Sequence, residues 1–212
     1  MTLFFLCALH ACVTEPQVHV GTTYLREQRI KLPHVNGLDR VAKGTSMQIR
    51  GVYWPHFYAV RPWPAIVRIN PSDQLEFVLL TDSLDVPHGD VVHLTGTPVD
   101  GVISGGVYEK KITMLHAEQF TIERATHKVL ARAHRDYQTL RGQLHARAVQ
   151  PGSKLAWPDQ PDWQLIVDEK RATVVALFGA ADLMYAVDVN LVYDLQGQKL
   201  QEIYAHEWFK GE

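Results

Sequence analysis

The feature that most constrains this chain is an alternation of apolar and polar residues that begins near residue 45. Met47, Ile49 and Tyr53 alternate with Gln48 and Arg50. Successive side chains of a β-strand point to opposite faces, so this pattern predicts a half-buried strand. Further strand-like segments follow between turns rich in Pro, Asp and Gly: Ala65–Asn70, Leu75–Leu80, Val91–Val99 and Val107–Ile122. Five strands in so short a stretch predict a mostly β fold for this part of the chain.

The fourth of these segments carries a recognisable motif. The run Gly89-Asp90-Val91-Val92-His93-Leu94-Thr95-Gly96 resembles the fourth strand of small bacterial OB-fold domains. Together with the three-stranded meander before it, this resemblance implies a five-stranded OB-like barrel over residues 41–124. Gly96 would allow a barrel strand to bend sharply.

The remainder of the chain, residues 125–212, predicts an α+β second domain. Apolar residues spaced three and four apart predict a helix over Ala125–Gly142. Strands are predicted at Trp163–Asp168, at Thr173–Phe178 and at Lys199–Trp208. Between the last two lies a long strand whose apolar face comprises Leu183, Tyr185, Val187, Val189, Leu191 and Tyr193, and whose other, partly solvated face carries Asp188, Asn190 and Asp194. A helix followed by four antiparallel strands resembles the cystatin-like and NTF2-like folds.

The first residues are typical of an export signal. Met1–Ala11 contains no charged side chain and has an apolar centre at Leu3–Leu9. This centre is too short to span a bilayer, which requires about 20 apolar residues, but it fits the apolar region of a signal peptide. The alternative is an apolar first strand of a cytosolic domain.

The end of this leader, Leu9-His10-Ala11-Cys12, resembles the lipobox of bacterial lipoproteins. The resemblance implies removal of residues 1–11 and acylation of Cys12. Val13 occupies the position where an Asp commonly retains such proteins at the inner membrane, which implies the outer membrane, facing the periplasm. Cys7 would be lost with the leader, so no cysteine remains for a disulfide. Residues 12–40 are predicted to be a tether with a short helix at Leu38–Lys43.

A dense aromatic segment is the candidate binding surface. Five aromatic side chains, one His and one Arg lie within residues 53–64, and the residues predicted to bind a ligand or partner are Trp54, His56, Phe57, Tyr58, Arg61 and Trp63. In an OB barrel this segment and the loop Pro98–Gly106 line the usual ligand face. The alternative is a loop whose aromatic side chains plug the end of the barrel.

The charge of the barrel segment argues against nucleic acid as the ligand. From Arg40 to Arg124 there are 8 basic and 9 acidic residues, a net charge of −1. Neutralisation of phosphates by basic side chains supplies most of the affinity for single strands.

The sequence contains no pattern typical of a metal site or of a catalytic nucleophile. His88 and His93 are separated by an odd number of positions near a strand, which directs their side chains apart. His127 and His134 do not match a zinc pattern either, so no metal or cofactor is predicted. No nucleophile motif such as G-x-S-x-G is present.

These observations predict an exported, lipid-anchored binding or scaffolding protein of the bacterial cell envelope, without catalysis. Its expected partner is an envelope protein or polymer. The alternative is a small-molecule enzyme that uses a cavity of the C-terminal domain, with Asp188, Tyr193 or His206 as acid or base.

Overall fold

The computed structural model describes residues 15–31, 38, 41–56, 63–69, 75–105 and 108–211. These residues form ten strands in two five-stranded sheets and one main helix, so the prediction of a mostly β chain is confirmed. In chain order the elements are β1 (Gln17–Val20), α1 (Tyr24–Glu27), β2 (Met47–Trp54), β3 (Ala65–Arg68), β4 (Glu76–Leu79), β5 (Val91–Gly105), β6 (Tyr108–Arg124), α2 (Lys128–Ala148), β7 (Gln164–Asp168), β8 (Thr173–Ala181), β9 (Tyr185–Asp194) and β10 (Leu200–Phe209).

The first sheet has the strand order β4-β3-β2-β5-β6, with every neighbouring pair antiparallel. Its two outer strands meet where Leu80 forms a parallel bridge with Leu115, and the amide of Thr81 donates to the Leu115 carbonyl at 3.1 Å. The sheet therefore curves around a buried cluster of its own. Members of this cluster are Leu38, Ile49, Tyr53, Ile66, Val78, Leu80, Val86, Val92, Leu94 and Leu115.

The hairpin of β5 and β6 is longer than the sequence predicted. It pairs Val91 with Arg124 at its base and Gly105 with Tyr108 at its far end. Its register shifts between Thr95 and Gly96, the glycine at which a bend was predicted. A Cβ at Gly96 would lie 2.4 Å from the His116 carbonyl oxygen, so the close approach of the two strands requires glycine there.

The second sheet has the order β1-β10-β9-β8-β7. Strands β7 to β10 form the predicted antiparallel meander, and β1 adds a parallel fifth strand along β10, with Gln17 opposite Glu202. The prediction of a tether at residues 12–40 is therefore wrong for residues 17–31. Burial of Tyr24, which is 2% exposed, holds this segment on the sheet.

The predicted helix Leu38–Lys43 is also not present in the described residues. Leu38 and Val41 to Lys43 lie in turns and irregular backbone, and a helical segment lies earlier, in α1. Thr23 begins α1, because its hydroxyl accepts a hydrogen bond from the Arg26 amide at 3.3 Å.

Helix α2 begins three residues later and ends six residues later than predicted. At its start, Asp90 Oδ1 accepts hydrogen bonds from the amides of Thr126 (2.7 Å) and His127 (3.0 Å). Gly142 does not end the helix, although glycine in a helix costs about 1 kcal/mol relative to alanine. Burial of Leu144 and Ala148 in the following turns offsets that cost.

Strand β9 is buried on both faces, and the prediction of a partly solvated face is wrong for Asn190. One face packs beneath α2, where the Tyr193 hydroxyl donates to Asp136 Oδ2 at 2.9 Å. The other face is covered by the N-terminal segment, since the Tyr24 amide donates to Asn190 Oδ1 at 2.7 Å. Asn190 is 3% exposed.

The two sheets share one apolar cluster. Val52, Val67 and Phe77 of the first sheet belong to the same cluster as Leu165 and Val175 of the second. The change from strands to helix near residue 125 agrees with the predicted boundary, but whether residues 41–124 and 125–212 fold as separate domains stays a prediction.

Candidate functional site

The structure describes three of the six residues of the predicted aromatic surface. Trp54 ends β2 and is 7% exposed. Its indole N–H donates to the Leu165 carbonyl at 2.8 Å, and its ring lies 5.3 Å from that of Phe77. This environment is the one expected of a plug, because a ring inside the shared core offers no face for stacking.

Trp63 and His56 have surroundings different from those of Trp54. Trp63 packs beside a small buried cluster that includes Ile112 and Met114 of β6. His56 is exposed at the start of the loop. Phe57, Tyr58 and Arg61 lie outside the described residues, as does Cys12, so the role of the loop in binding stays a prediction.

His56 has a neighbour that sequence spacing did not reveal. It lies within electrostatic reach of His88, whose Nε2 is 3.1 Å from Gln164 Oε1. Burial lowers the pKa of His88 and outweighs the opposite effect of Asp162. His93 contacts Glu123 instead, with 2.7 Å between Nε2 and Oε2. In the part of the chain that the structure describes, no three His, Cys, Asp or Glu side chains are grouped to hold a metal ion.

The residues proposed for a C-terminal enzyme site are divided between the faces of the second sheet. Asp188 and His206 are directly opposite each other on β9 and β10. Burial raises the pKa of Asp188 to about 6, and it lowers the pKa of His206, which Arg26 lowers further. Tyr193 lies an odd number of positions from Asp188 and faces α2, so the three cannot act together.

An apolar protrusion at the β8–β9 turn is the feature that sequence reasoning missed. Leu183 is 97% exposed and Met184 is 54% exposed. We call these two residues the apolar tip. The sequence placed Leu183 on the buried face of a strand, because it continues the alternation of Tyr185 and Val187. The strand begins only at Tyr185, so the alternation extends beyond the sheet and this prediction is wrong.

Hydrogen bonds fix the backbone of the apolar tip. Asp182 Oδ1 accepts from the amides of Met184 and Tyr185, both at 2.7 Å. These two amides hold the pKa of Asp182 below its usual value. The Lys210 amide donates to the Met184 carbonyl at 2.8 Å, which joins the tip to the end of β10. Because these hydrogen bonds fix the backbone of the turn, its main chain loses little entropy on binding.

Three cavities lined by described residues lie away from Asp188 and His206. One of about 390 Å³ is beside the apolar tip, between Met184 and Lys154. Another of about 410 Å³ lies between α2 and the β9–β10 turn, with Pro16 and Leu140 in its wall. A third, about 250 Å³, is a polar groove over β5 and β6 that includes His93 and Thr121.

The fold and these surfaces define a β-rich protein of two joined sheets with an ordered apolar protrusion. No family model, curated protein or solved structure matches the chain. Among the described residues, no helix is both long enough and apolar enough to cross a membrane.

Proposed function

We propose that this chain is an exported, lipid-anchored binding or scaffolding protein of the bacterial cell envelope. The charge-free leader and the run Leu9-His10-Ala11-Cys12 support acylation at Cys12. By the resemblance to lipoproteins, the anchored protein would reside at the outer membrane and face the periplasm. Its partner is an envelope protein or polymer.

At the level of fold, we propose an OB-like barrel followed by a cystatin-like or NTF2-like unit. The strand order β4-β3-β2-β5-β6 and the parallel bridge between Leu80 and Leu115 support the barrel. The packing of α2 on one face of an antiparallel meander supports the second unit. A fold does not fix a function, so the binding proposal rests on a surface.

The observation that carries this function is the exposure of the apolar tip on a hydrogen-bonded turn. Leu183 presents almost its entire side chain to solvent, beside the partly exposed Met184 and Phe209. Single exposed apolar residues are common on protein surfaces. Two adjacent exposed apolar side chains on a turn whose backbone is fixed by hydrogen bonds are typical of an anchor that enters a pocket of a partner.

The position of the tip supports a partner that is a protein and not the membrane holding the anchor. The N-terminal segment enters the second sheet where Gln17 pairs with Glu202, and the tip lies beside Phe209 at the other end of β10. Those seven positions span about 23 Å, since an extended strand rises about 3.3 Å per residue. The tip would thus lie at the opposite end of β10 from the segment that follows the anchored Cys12.

The test is site-specific crosslinking in cells that express the full chain. We expect the variant Leu183→benzoylphenylalanine to give a discrete photoadduct, and the same substitution at Gln143, an exposed position of α2, to give none. The change Met184→Asp should remove the adduct while altering the free energy of unfolding by no more than about 0.5 kcal/mol. Identical adduct patterns at both positions would contradict the proposal.

The same cells test the anchor. Cys12→Ala should release the protein from the membrane fraction or leave Met1 in place. If the variant and the wild type fractionate alike and both retain Met1, the proposed localisation is wrong.

A small-molecule enzyme is the second candidate, and the perturbed pKa of Asp188 is the observation that favours it. A partly buried carboxyl with a pKa raised to about 6, opposite an imidazole, is a common feature of acid–base sites. A site of this kind needs an opening through which substrate reaches Asp188. Protection of Asp188 from carbodiimide labelling by added small metabolites would favour the enzyme over the binding protein.

A further inference from the structure

Helix α2 is strongly basic in a chain whose net charge is −2. It carries five basic side chains and one acidic side chain, a net charge of +4. Lys128, Arg132 and Arg135 are four and three positions apart, so they follow one another along one face of the first three turns. We call these three residues the basic face.

Two basic side chains of this helix, Arg141 and Arg132, already have partners within the fold. Arg141 donates to the Trp157 carbonyl at 2.6 Å and pairs with Asp159. Arg132 pairs with Asp136 at 3.4 Å, and it also contacts the β9–β10 turn. Lys128 and Arg135 are exposed, and neither has a carboxylate partner among the described residues. Their charges therefore remain available to an anionic surface.

The basic face lies at the end of the molecule where the N-terminal segment enters. Arg132 shares a cavity of about 410 Å³ with Pro16, which is four positions after Cys12. Four residues reach at most about 14 Å when extended. An acyl group on Cys12 would thus hold this end of α2 within a short distance of the lipid headgroups.

Acidic groups at this end are engaged in local contacts. Asp136 accepts from the Tyr193 hydroxyl at 2.9 Å, and Asp194 accepts from the Gln198 amide at 2.6 Å. The exposed Glu15 contributes an opposing charge. The first turns of the helix nevertheless carry Lys128, Arg132 and Arg135 against the single acidic Asp136, a net charge of +2.

We propose that the basic face binds anionic phospholipid headgroups of the membrane in which Cys12 is anchored. The orientation rests on the proposed function, because the acylated Cys12 determines which end faces the membrane. An anionic leaflet attracts each basic side chain near its surface, and a basic patch commonly adds to a lipid anchor. Contact at this face would also direct the apolar tip away from the membrane.

The experiment measures sedimentation of the full chain with vesicles, using Cys12→Ser throughout so that no acyl chain contributes. Vesicles of phosphatidylcholine alone are compared with vesicles that also contain phosphatidylglycerol. We expect binding only when phosphatidylglycerol is present, and weaker binding as salt is added. Lys128→Gln with Arg135→Gln should lower the partition coefficient about five-fold for each residue.

The matched control is Lys111→Gln with Arg147→Gln, which removes the same charge from exposed positions elsewhere. It should leave the partition coefficient within two-fold of wild type, roughly the effect expected of net charge alone. The double variant Lys128→Arg with Arg135→Lys keeps both charges and should retain binding. Retained binding would show that the loss in the glutamine variant results from lost charge and not from altered folding.

Three results would overturn the proposal. Equal losses in the two double variants would show that net charge alone governs binding, and equal binding to both vesicle types would show apolar insertion. Tighter binding to a duplex DNA fragment than to phosphatidylglycerol vesicles would assign the face to nucleic acid. None of these results depends on acylation or on the apolar tip, so they leave the proposed function standing.

Discussion

At the scale of single residues, Asp188 is the clearest example of a side chain whose chemistry is set by its surroundings. It lies opposite His206 on one side and Gly179 on the other. A Cβ at Gly179 would lie 2.8 Å from Asp188 Oδ1, so glycine leaves space for the carboxyl group. Burial alone raises its pKa from 3.8 to about 6.

This pKa predicts a pH-dependent effect of Asp188→Asn. A carboxyl group with a higher pKa in the folded chain than in the unfolded chain destabilises the folded state as the pH rises between these values. Ionisation of Asp188 should cost about 3 kcal/mol above pH 6. The free energy of unfolding of the variant, relative to wild type, should therefore increase by about that amount between pH 4 and pH 7. Urea titrations at several pH values measure this free energy for the variant and for the wild type.

Asp182→Asn is the control, because the pKa of Asp182 is shifted in the opposite direction. Its contribution to stability is present above the unfolded pKa and is lost as the pH falls through the folded value. Asp182→Asn should therefore lose stability towards neutral pH relative to acid. The same trend in both variants would show that burial does not destabilise the ionised form of Asp188.

At the scale of elements, Arg50 connects β2 with β6 and with the turn between β7 and β8. Its guanidinium group donates to Glu123 at 2.6 Å and to Glu169 at 2.6 Å, with two hydrogen bonds to each carboxylate. These bonds hold the pKa values of both glutamates below their usual range and raise that of Arg50. The network thus joins an edge of the first sheet to the second.

Arg50→Ala should destabilise the chain by about 1–2 kcal/mol at neutral pH, because paired bidentate bonds are stronger than a single exposed ion pair. The contribution of the glutamates is present above their unfolded pKa values and is lost as the pH falls through the folded ones. The free energy of unfolding of Arg50→Ala should therefore fall less than that of the wild type as the pH is lowered.

The control is Arg68→Ala, which breaks the single pair with Glu76 inside the first sheet. It should cost less than about 1 kcal/mol. Equal losses would indicate that Arg50 does not join the sheets.

Local patterns in the sequence predict most of the strands and the main helix, but they do not predict which strands pair with each other. The alternation at Ile49 and Tyr53 and the periodicity of α2 are properties of short windows, and both were interpreted correctly. The pairing of β1 with β10 joins residues that are about 185 positions apart, and Val18 carries no local sign of it. The burial of Asn190 depends on Tyr24 in the same way.

The candidate binding surfaces could also be predicted only in part, because they depend on contacts between residues that are far apart in the sequence. The density of rings in residues 53–64 was visible in the sequence, but the acceptor of the Trp54 indole belongs to β7. The alternation of apolar and polar residues predicts a buried face for Leu183, but it does not indicate that the strand begins only at Tyr185. Exposure of a turn residue depends on what packs nearby, which periodicity does not encode.

At the scale of the whole molecule, the shared cluster determines how the two sheets depend on each other. If residues 41–124 were separated from the second sheet, Val52, Trp54, Val67, Phe77 and Val91 would lose the apolar neighbours that the second sheet provides. Exposure of apolar surface on this scale costs a domain much of its stability, since each fully buried large side chain contributes about 1.5–3 kcal/mol. In contrast to the two separate domains expected from the sequence, this shared cluster predicts that the two sheets of the full chain unfold together.

Trp54→Ala tests this coupling, because Trp54 lies in the first sheet and donates to Leu165 of the second. Its truncation should cost about 3–5 kcal/mol through the cavity it leaves, and the Leu165 carbonyl would also lose its donor. Hydrogen exchange should then accelerate to a similar extent in peptides from β2 and from β9. Trp63→Ala is the matched control, since Trp63 packs beside the separate cluster of Ile112 and Met114 and should alter exchange mainly in β3 and β6. Wild-type protection of β9 in Trp54→Ala would show instead that residues 125–212 fold independently, as two separate domains require.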